Sequence, residues 1–262
     1  MQLKTLIEEI LMGQLSQANM ADAVLPHIAD LNLITETEDS TKYPRLLGKL
    51  VTAINSSLNQ IYADLPLALE EVYVDVNPSM DRYLLSIEHA EYAGANYPDQ
   101  KWIVDTKFAP FRNNIIECIN VADEYGAEFH TNDKSATWNV NFPAPNIIQV
   151  PFADNGMTLC VTYRAGHPKI PFALSKTIPL DDQGTLGFTT PDMVIELPTF
   201  LLNALKCLVA YKYFQSIGSP ETAAQAQGNY VEYTSLMQAV KTNQLLHGDY
   251  TEIDNLTNEG WV

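Results

Sequence analysis

Apolar and polar positions recur along this chain with two different periods, and the change of period divides it. Residues 3 to 14 place Leu3, Leu6, Ile7, Ile10 and Leu11 on one stripe. Steps of three and four are the period of an amphipathic helix. Residues 21 to 33 have room for a short helix, and 35 to 41 read as a polar, acidic connector. Behind Pro44 the stripe Leu47, Leu50, Ile54, Leu58, Ile61 and Leu65 predicts a longer helix. Pro44 suits its first turn, where the missing N–H costs nothing. Near Leu69 the period falls to two. Val72, Val74 and Val76 alternate with Tyr73 and Asp75, which predicts a strand. Asn77-Pro78-Ser79 is turn chemistry, and Tyr83 to Ile87 reads as the return strand. Further strands are expected at 102–105, 115–122, 128–130, 147–150 and 159–163, with Tyr125-Gly126 as a hairpin turn. Frequent prolines between Pro98 and Pro198 favour short strands over helices.

Helical spacing returns at Pro198. Phe200, Leu201, Ala204, Leu205, Leu208 and Tyr211 form one face, while Leu202, Val209 and Tyr213 add another. A helix apolar on most sides is deeply buried or shared with a neighbouring subunit, which makes Leu202, Val209 and Tyr213 candidate interface residues. In Ile217-Gly218-Ser219-Pro220-Glu221, Gly218 suits a left-handed helix end, Ser219 a cap, and Pro220 the first turn of the next helix. The last helix then carries Ala223, Ala226, Tyr230, Tyr233, Met237 and Val240, the seam of an intramolecular helical hairpin.

Neither end of the chain alone can bury its stripes. The pattern therefore predicts an α+β fold. Residues 1–68 and 191–247 form a helical bundle. A small β domain, a sandwich or open barrel, is inserted at 69–190. An acidic C-terminal tail at 248–262 carries scattered apolar residues: Tyr250, Ile253, Leu256, Trp261 and Val262.

Charge narrows the function classes. The chain has 15 Lys plus Arg against 32 Asp plus Glu, net −17. Gripping phosphate needs a basic patch, and the densest basic group, Lys42, Arg45 and Lys49, has the spacing of a solvated helix face. An acidic surface serves solubility, and equally a wall past which DNA slides. The three cysteines, Cys118, Cys160 and Cys207, lie far apart and read as small core residues. No uninterrupted apolar stretch is long enough to cross a bilayer. Glu8 and Glu9 stand where a secretion signal needs an apolar run, so folding in the cytosol is expected.

A search for chemistry finds little. The histidines at 27, 89, 130, 167 and 247 are dispersed, and no HExxH, CxxC, GxSxG or phosphate-loop pattern occurs. Asp181-Asp182-Gln183-Gly184 is too short for a calcium loop and reads as a turn. No catalytic residue, metal or cofactor is expected. Carboxylate pairs for glycoside hydrolysis stay open at Glu70-Glu71, Glu117 and Asp123-Glu124, because such partners meet only in the fold. Trp138, in a polar stretch, reads either as a surface aromatic for sugar or partner binding or as cross-strand packing. Trp261 belongs to a segment with the make-up of one that orders on a partner, against the alternative of a frayed terminus.

Several stretches carry a resemblance. Residues 6 to 16, Leu-Ile-Glu-Glu-Ile-Leu-Met-Gly-Gln-Leu-Ser, and the run from Tyr43 to Asn55 match two opening helices. Pro110-Phe111, Ile115-Ile116 and Val121 to Phe129 match a hairpin; Asn146 to Pro151 and Val161 to Pro168 match later strands. Ile195 to Gln227 matches a terminal helical hairpin. Together they resemble the head-to-tail connector proteins of short-tailed bacteriophages, also called adaptor, tail tubular or head-completion proteins. The resemblance implies a structural virion protein of the neck, made in the host cytoplasm. It implies a dodecameric ring between the portal protein and the tail or nozzle protein below it, through which DNA passes without sequence-specific binding. It implies no catalysis, and no cofactor and no membrane contact are expected. It also implies a C-terminal extension reaching the portal, with Tyr250, Ile253, Leu256 and Trp261 as anchors. The alternatives are a tail-associated carbohydrate- or partner-binding module built on the β domain, and a hydrolase using paired carboxylates.

Overall fold

The computed structural model describes residues 1–16, 42–94, 100–133, 135–136, 138–151, 157–170 and 194–243, with the backbone alone at 42–47. The expected helix at 21–33, the connector at 35–41, the Asp181–Gly184 turn and the tail at 248–262 lie outside them. The described residues form four α-helices and two small sheets, an α+β fold. They cluster into two compact units, Met1–Ile61 with Lys169–Val262, and Tyr62–Pro168.

In the first unit, α1 (Leu3–Met12) buries all five residues of its stripe. Each such side chain is worth about 1.5–3 kcal/mol of burial. The helix stops at Gly13, whose N–H donates to the Glu9 carbonyl at 2.9 Å. α2 (Lys42–Asp64) has Pro44 in its first turn and buries Leu50, Ile54, Leu58 and Ile61. α3 (Leu202–Ile217) follows a short 3-10 turn at Thr199–Leu201. Polar ties join segments distant in sequence. The Ile195 N–H donates to the Met1 carbonyl at 2.7 Å, and Lys206 pairs with Glu9 at 2.6 Å. The Asn55 side chain bonds both the N–H and the carbonyl of Ile170, and Lys212 donates to the Ser56 carbonyl. α4 (Pro220–Thr242) starts as the sequence predicts. Gly218 has φ +73°, and Ser219 and Thr222 exchange the two hydrogen bonds of a capping box. Of the α4 stripe, Ala226, Tyr233, Met237 and Val240 are buried, while Ala223 and Tyr230 are exposed.

In the second unit, β1 (Leu69–Asp75), β3 (Ile103–Val104), β4 (Ile115–Asp123) and β8 (Thr158–Ala165) form one sheet, ordered β3-β1-β8-β4. The other, ordered β2-β7-β6-β5, holds β2 (Arg82–Leu84), β5 (His130–Thr131), β6 (Asn139–Ala144) and β7 (Ile147–Gln149). Every pairing is antiparallel except β5 with β6. One hydrophobic core takes Val74, Ile103, Val121, Leu159 and Val161 from the first sheet and Tyr83, Val140 and Ile148 from the second.

Three strand-level expectations are corrected. β2 does not return along β1. It pairs with β7 in the other sheet, Tyr83 opposite Ile148, because β8 lines the whole length of β1. The buried Tyr83 hydroxyl accepts from the Asn77 N–H at 2.8 Å and lies 2.9 and 3.1 Å from the Asn77 and Met80 carbonyls, so it fixes the turn that carries the chain across. β6 was not expected, since Asn139, Asn141 and Pro143 mask its period. Pro143 falls where the β6–β7 register shifts, a place that asks no N–H of it. Cys160 is not a core residue. It lies on the face of β8 opposite the buried Leu159 and Val161, half-buried beside Glu71 and Tyr73.

β4 is a long edge strand, and edges invite unwanted pairing. Register shifts leave Ile116 and Ile119 as extra residues. The Cys118 N–H goes to the Pro145 carbonyl, and the Asp123 N–H and Val121 carbonyl are taken up by residues 127 and 129 beyond the Gly126 turn, φ +84°. Bulges and a folded-back hairpin thus blunt this edge.

Candidate functional site

The β unit holds a cleft of about 630 Å³ between β1 and the segment from Val104 to Arg112. Its floor follows from strand register. Glu70 on β1 is the partner of Tyr163 on β8, so both side chains share a face. The Tyr163 hydroxyl donates to Glu70 Oε2 at 3.0 Å. Burial and then the Glu70 carboxylate push the Tyr163 phenol above its usual range. Asn114 spans the same corner, donating to the Gly166 carbonyl at 2.9 Å and reaching both Glu70 oxygens at 3.4 Å. Arg112, half-exposed, stands 3.5 Å from Glu70 Oε1.

The opposite wall is held from behind by a buried carboxylate. Asp105 accepts from the Tyr92, Ala93 and Phe111 N–H groups at 2.6, 3.1 and 3.0 Å. A turn follows: the Thr106 N–H donates to the Ala109 carbonyl, and the Ala109 N–H to the Thr106 hydroxyl. Phe108 sits at its tip, 97% exposed. Tyr73 on β1 also lines the cleft and is about half-exposed.

A second cleft, of about 720 Å³, runs along β4 beside Arg164. Arg164 donates to the Tyr62 and Ala63 carbonyls at the end of α2 and pairs with Glu117 at 3.4 Å. A cation on the last carbonyls of a helix complements its dipole. The Arg164 Nε is buried with no hydrogen-bond partner among the described residues. A third, of about 450 Å³, lies at the α3–α4 junction around Tyr211, Phe214 and Ala226.

The candidate residues fall as follows. Val209 and Tyr213 are 0% and 2% exposed in the single chain, and Leu202 is half-buried. Val209 and Tyr213 are thus enclosed within the single chain, in keeping with the deeply buried alternative of the two their face offered. Their apolar character is met inside the unit. The apolar side chains that the hairpin does expose are Phe200, Ile217, Tyr230 and Val231. Tyr250, Ile253, Leu256 and Trp261 lie outside the described residues. Trp138 is 52% exposed, on the surface side of its two readings. Glu70 and Glu71 are neighbours on a strand and leave opposite faces. Glu117 faces the Arg164 cleft, and Asp123 accepts the Tyr125 and Ala127 N–H groups of its own turn. The carboxylates singled out in the sequence are not gathered in one place. Among the described residues no group of His, Cys, Asp and Glu could hold a metal ion, and no helix is long and apolar enough to cross a membrane. His89 instead stacks on Trp102, ring centroids 3.7 Å apart.

No family model matches this chain, and no curated protein does. Sequence singled out Glu70-Glu71 alone among the cleft residues as candidates for chemistry, because the rest come from separate stretches, 72–73, 104–112, 114 and 163, that only the fold brings together.

Proposed function

We propose that this protein is a structural, non-enzymatic head-to-tail adaptor that forms a ring between a phage portal and tail and lets DNA pass. The observation that carries the reading is the hairpin of α3 and α4. Ile195 to Gln227, the longest stretch of resemblance, is continuous there, with its Gly218–Ser219–Pro220 junction formed as expected. The reading extends to architecture: a helical bundle drawn from both chain ends, and an inserted two-sheet sandwich. The net charge of −17 supports a channel wall from which DNA is repelled. Subunit contacts would then use the apolar side chains left outside the hairpin, Phe200, Tyr230 and Val231. The tail, through Tyr250, Ile253, Leu256 and Trp261, would dock on the portal by coupled folding.

The test mixes full-length protein, and protein cut after Leu246, with the portal of its own phage, and reads assemblies by native mass spectrometry and electron microscopy. A ring on the portal from full-length protein only is the expected result. A ring from both forms removes the role of the tail. No association from either, with the portal intact, overturns the adaptor.

A further inference from the structure

We propose that the cleft between β1 and the Phe108 turn binds a neutral saccharide. The inference goes beyond the adaptor reading and stands whether or not a ring forms. The volume, about 630 Å³, is that of a small-molecule site. Its polar side sets a carboxylate and a guanidinium next to each other, Glu70 and Arg112 at 3.5 Å. Arg112 makes that one ion pair among the described residues, so most of its five N–H donors are unspent. Glu70 is held in place by Tyr163 and Asn114 and keeps part of its surface open.

This arrangement selects by charge. An anion placed against Arg112 also meets Glu70. A cation placed against Glu70 also meets Arg112. A neutral ligand with adjacent hydroxyls satisfies both, donating to the carboxylate and accepting from the guanidinium. The apolar side fits the same ligand class. Phe108, 97% exposed at the tip of its turn, offers its ring to the C–H face of a pyranose, and hydrophobic contact with a few placed polar groups is how such pockets hold orientation. The wall is pre-organised: three N–H bonds to Asp105 and the Thr106–Ala109 turn hold Phe108 where it buries nothing of its own protein. Ordering entropy is thus settled before a ligand arrives.

Purified full-length protein would be applied to an array of bacterial surface polysaccharides. Free maltotriose, cellotriose and chitotriose would be followed at millimolar concentration by saturation-transfer NMR. We expect at least one of these saccharides to bind. Phe108→Ala should weaken that binding about tenfold, the worth of one stacking contact, with an unchanged melting temperature, since Phe108 supports no core. Glu70→Gln should weaken it too. If that variant unfolds, Arg112→Ala, at a half-exposed position, takes its place. Binding that survives Phe108→Ala and Arg112→Ala together places the saccharide elsewhere and overturns the proposal, as does a panel that gives no binding at all. Ring assembly on the portal is a separate readout, so either reading can fail alone.

Discussion

Single residues decide the local questions. Asp105 accepts three backbone N–H bonds from two loop segments while buried. Asp105→Ala leaves those donors without their acceptor, at roughly 1–3 kcal/mol for each one kept from water. A loss of several kcal/mol in urea unfolding is the expected outcome; a change below about 0.5 kcal/mol, the size of an ordinary surface effect, would show that the clamp is dispensable. Val209 makes the opposite kind of point. Its apolar neighbours suggested a shared surface, yet it is enclosed in one chain. Val209→Asp should therefore lower the melting temperature of the isolated protein sharply, because an unpaired charge is buried. A variant that melts normally and fails only to assemble would return Val209 to an interface. Sequence shows that a position is apolar; it does not show whose atoms cover it.

Elements were legible where pattern and punctuation agree. α1 and the start of α4 fall where stripes and caps put them. β2 and β6 show the limit. The partner of β2 depends on the Tyr83 hydroxyl fixing the Asn77–Met80 turn, a contact no period encodes. β6 is disguised by polar residues that serve the strand itself, Asn139 bonding Asn141 at 2.9 Å. Residue spacing likewise contains nothing of the cleft, whose walls are set by register and loop contacts. Within α4, Gly228 sits mid-helix, and among the described residues nothing lies within 4 Å of an added Cβ. Glycine there costs roughly 0.5–1 kcal/mol against alanine. Gly228→Ala should raise stability by about that amount in denaturant unfolding. If it does so while ring assembly fails, the glycine is kept for close approach of a neighbour.

Across the whole molecule, burial of ionisable groups sets a response to alkali. Burial pushes the Cys118 and Cys207 thiols up to about 12 from 9.0, with Glu117 and Glu232 adding to it. The Tyr83, Tyr163 and Tyr213 phenols are raised as well, desolvation first among the causes. A raised pKa means that the folded chain keeps a proton the unfolded chain gives up. Stability from these groups is therefore complete below about pH 9 and falls as pH climbs toward 12. Unfolding midpoints measured from pH 8 to 11 should decline steadily above pH 9. Replacing Cys118 and Cys207 by alanine should flatten that decline; an equal slope in the double variant would assign it to the tyrosines.

The tie between the Met1 carbonyl and the Ile195 N–H, with Lys206 reaching Glu9, has a consequence in time. A ribosome adds about 5–20 residues per second, so α1 leaves it roughly 10–40 seconds before α3 exists to bring Lys206 to Glu9. The segment from Tyr62 to Pro168 needs only itself to close its core. It is ready to fold while the earlier helices still wait. During that interval the Met1 carbonyl and the Glu9 carboxylate wait for partners that arrive only with the last helices to be translated.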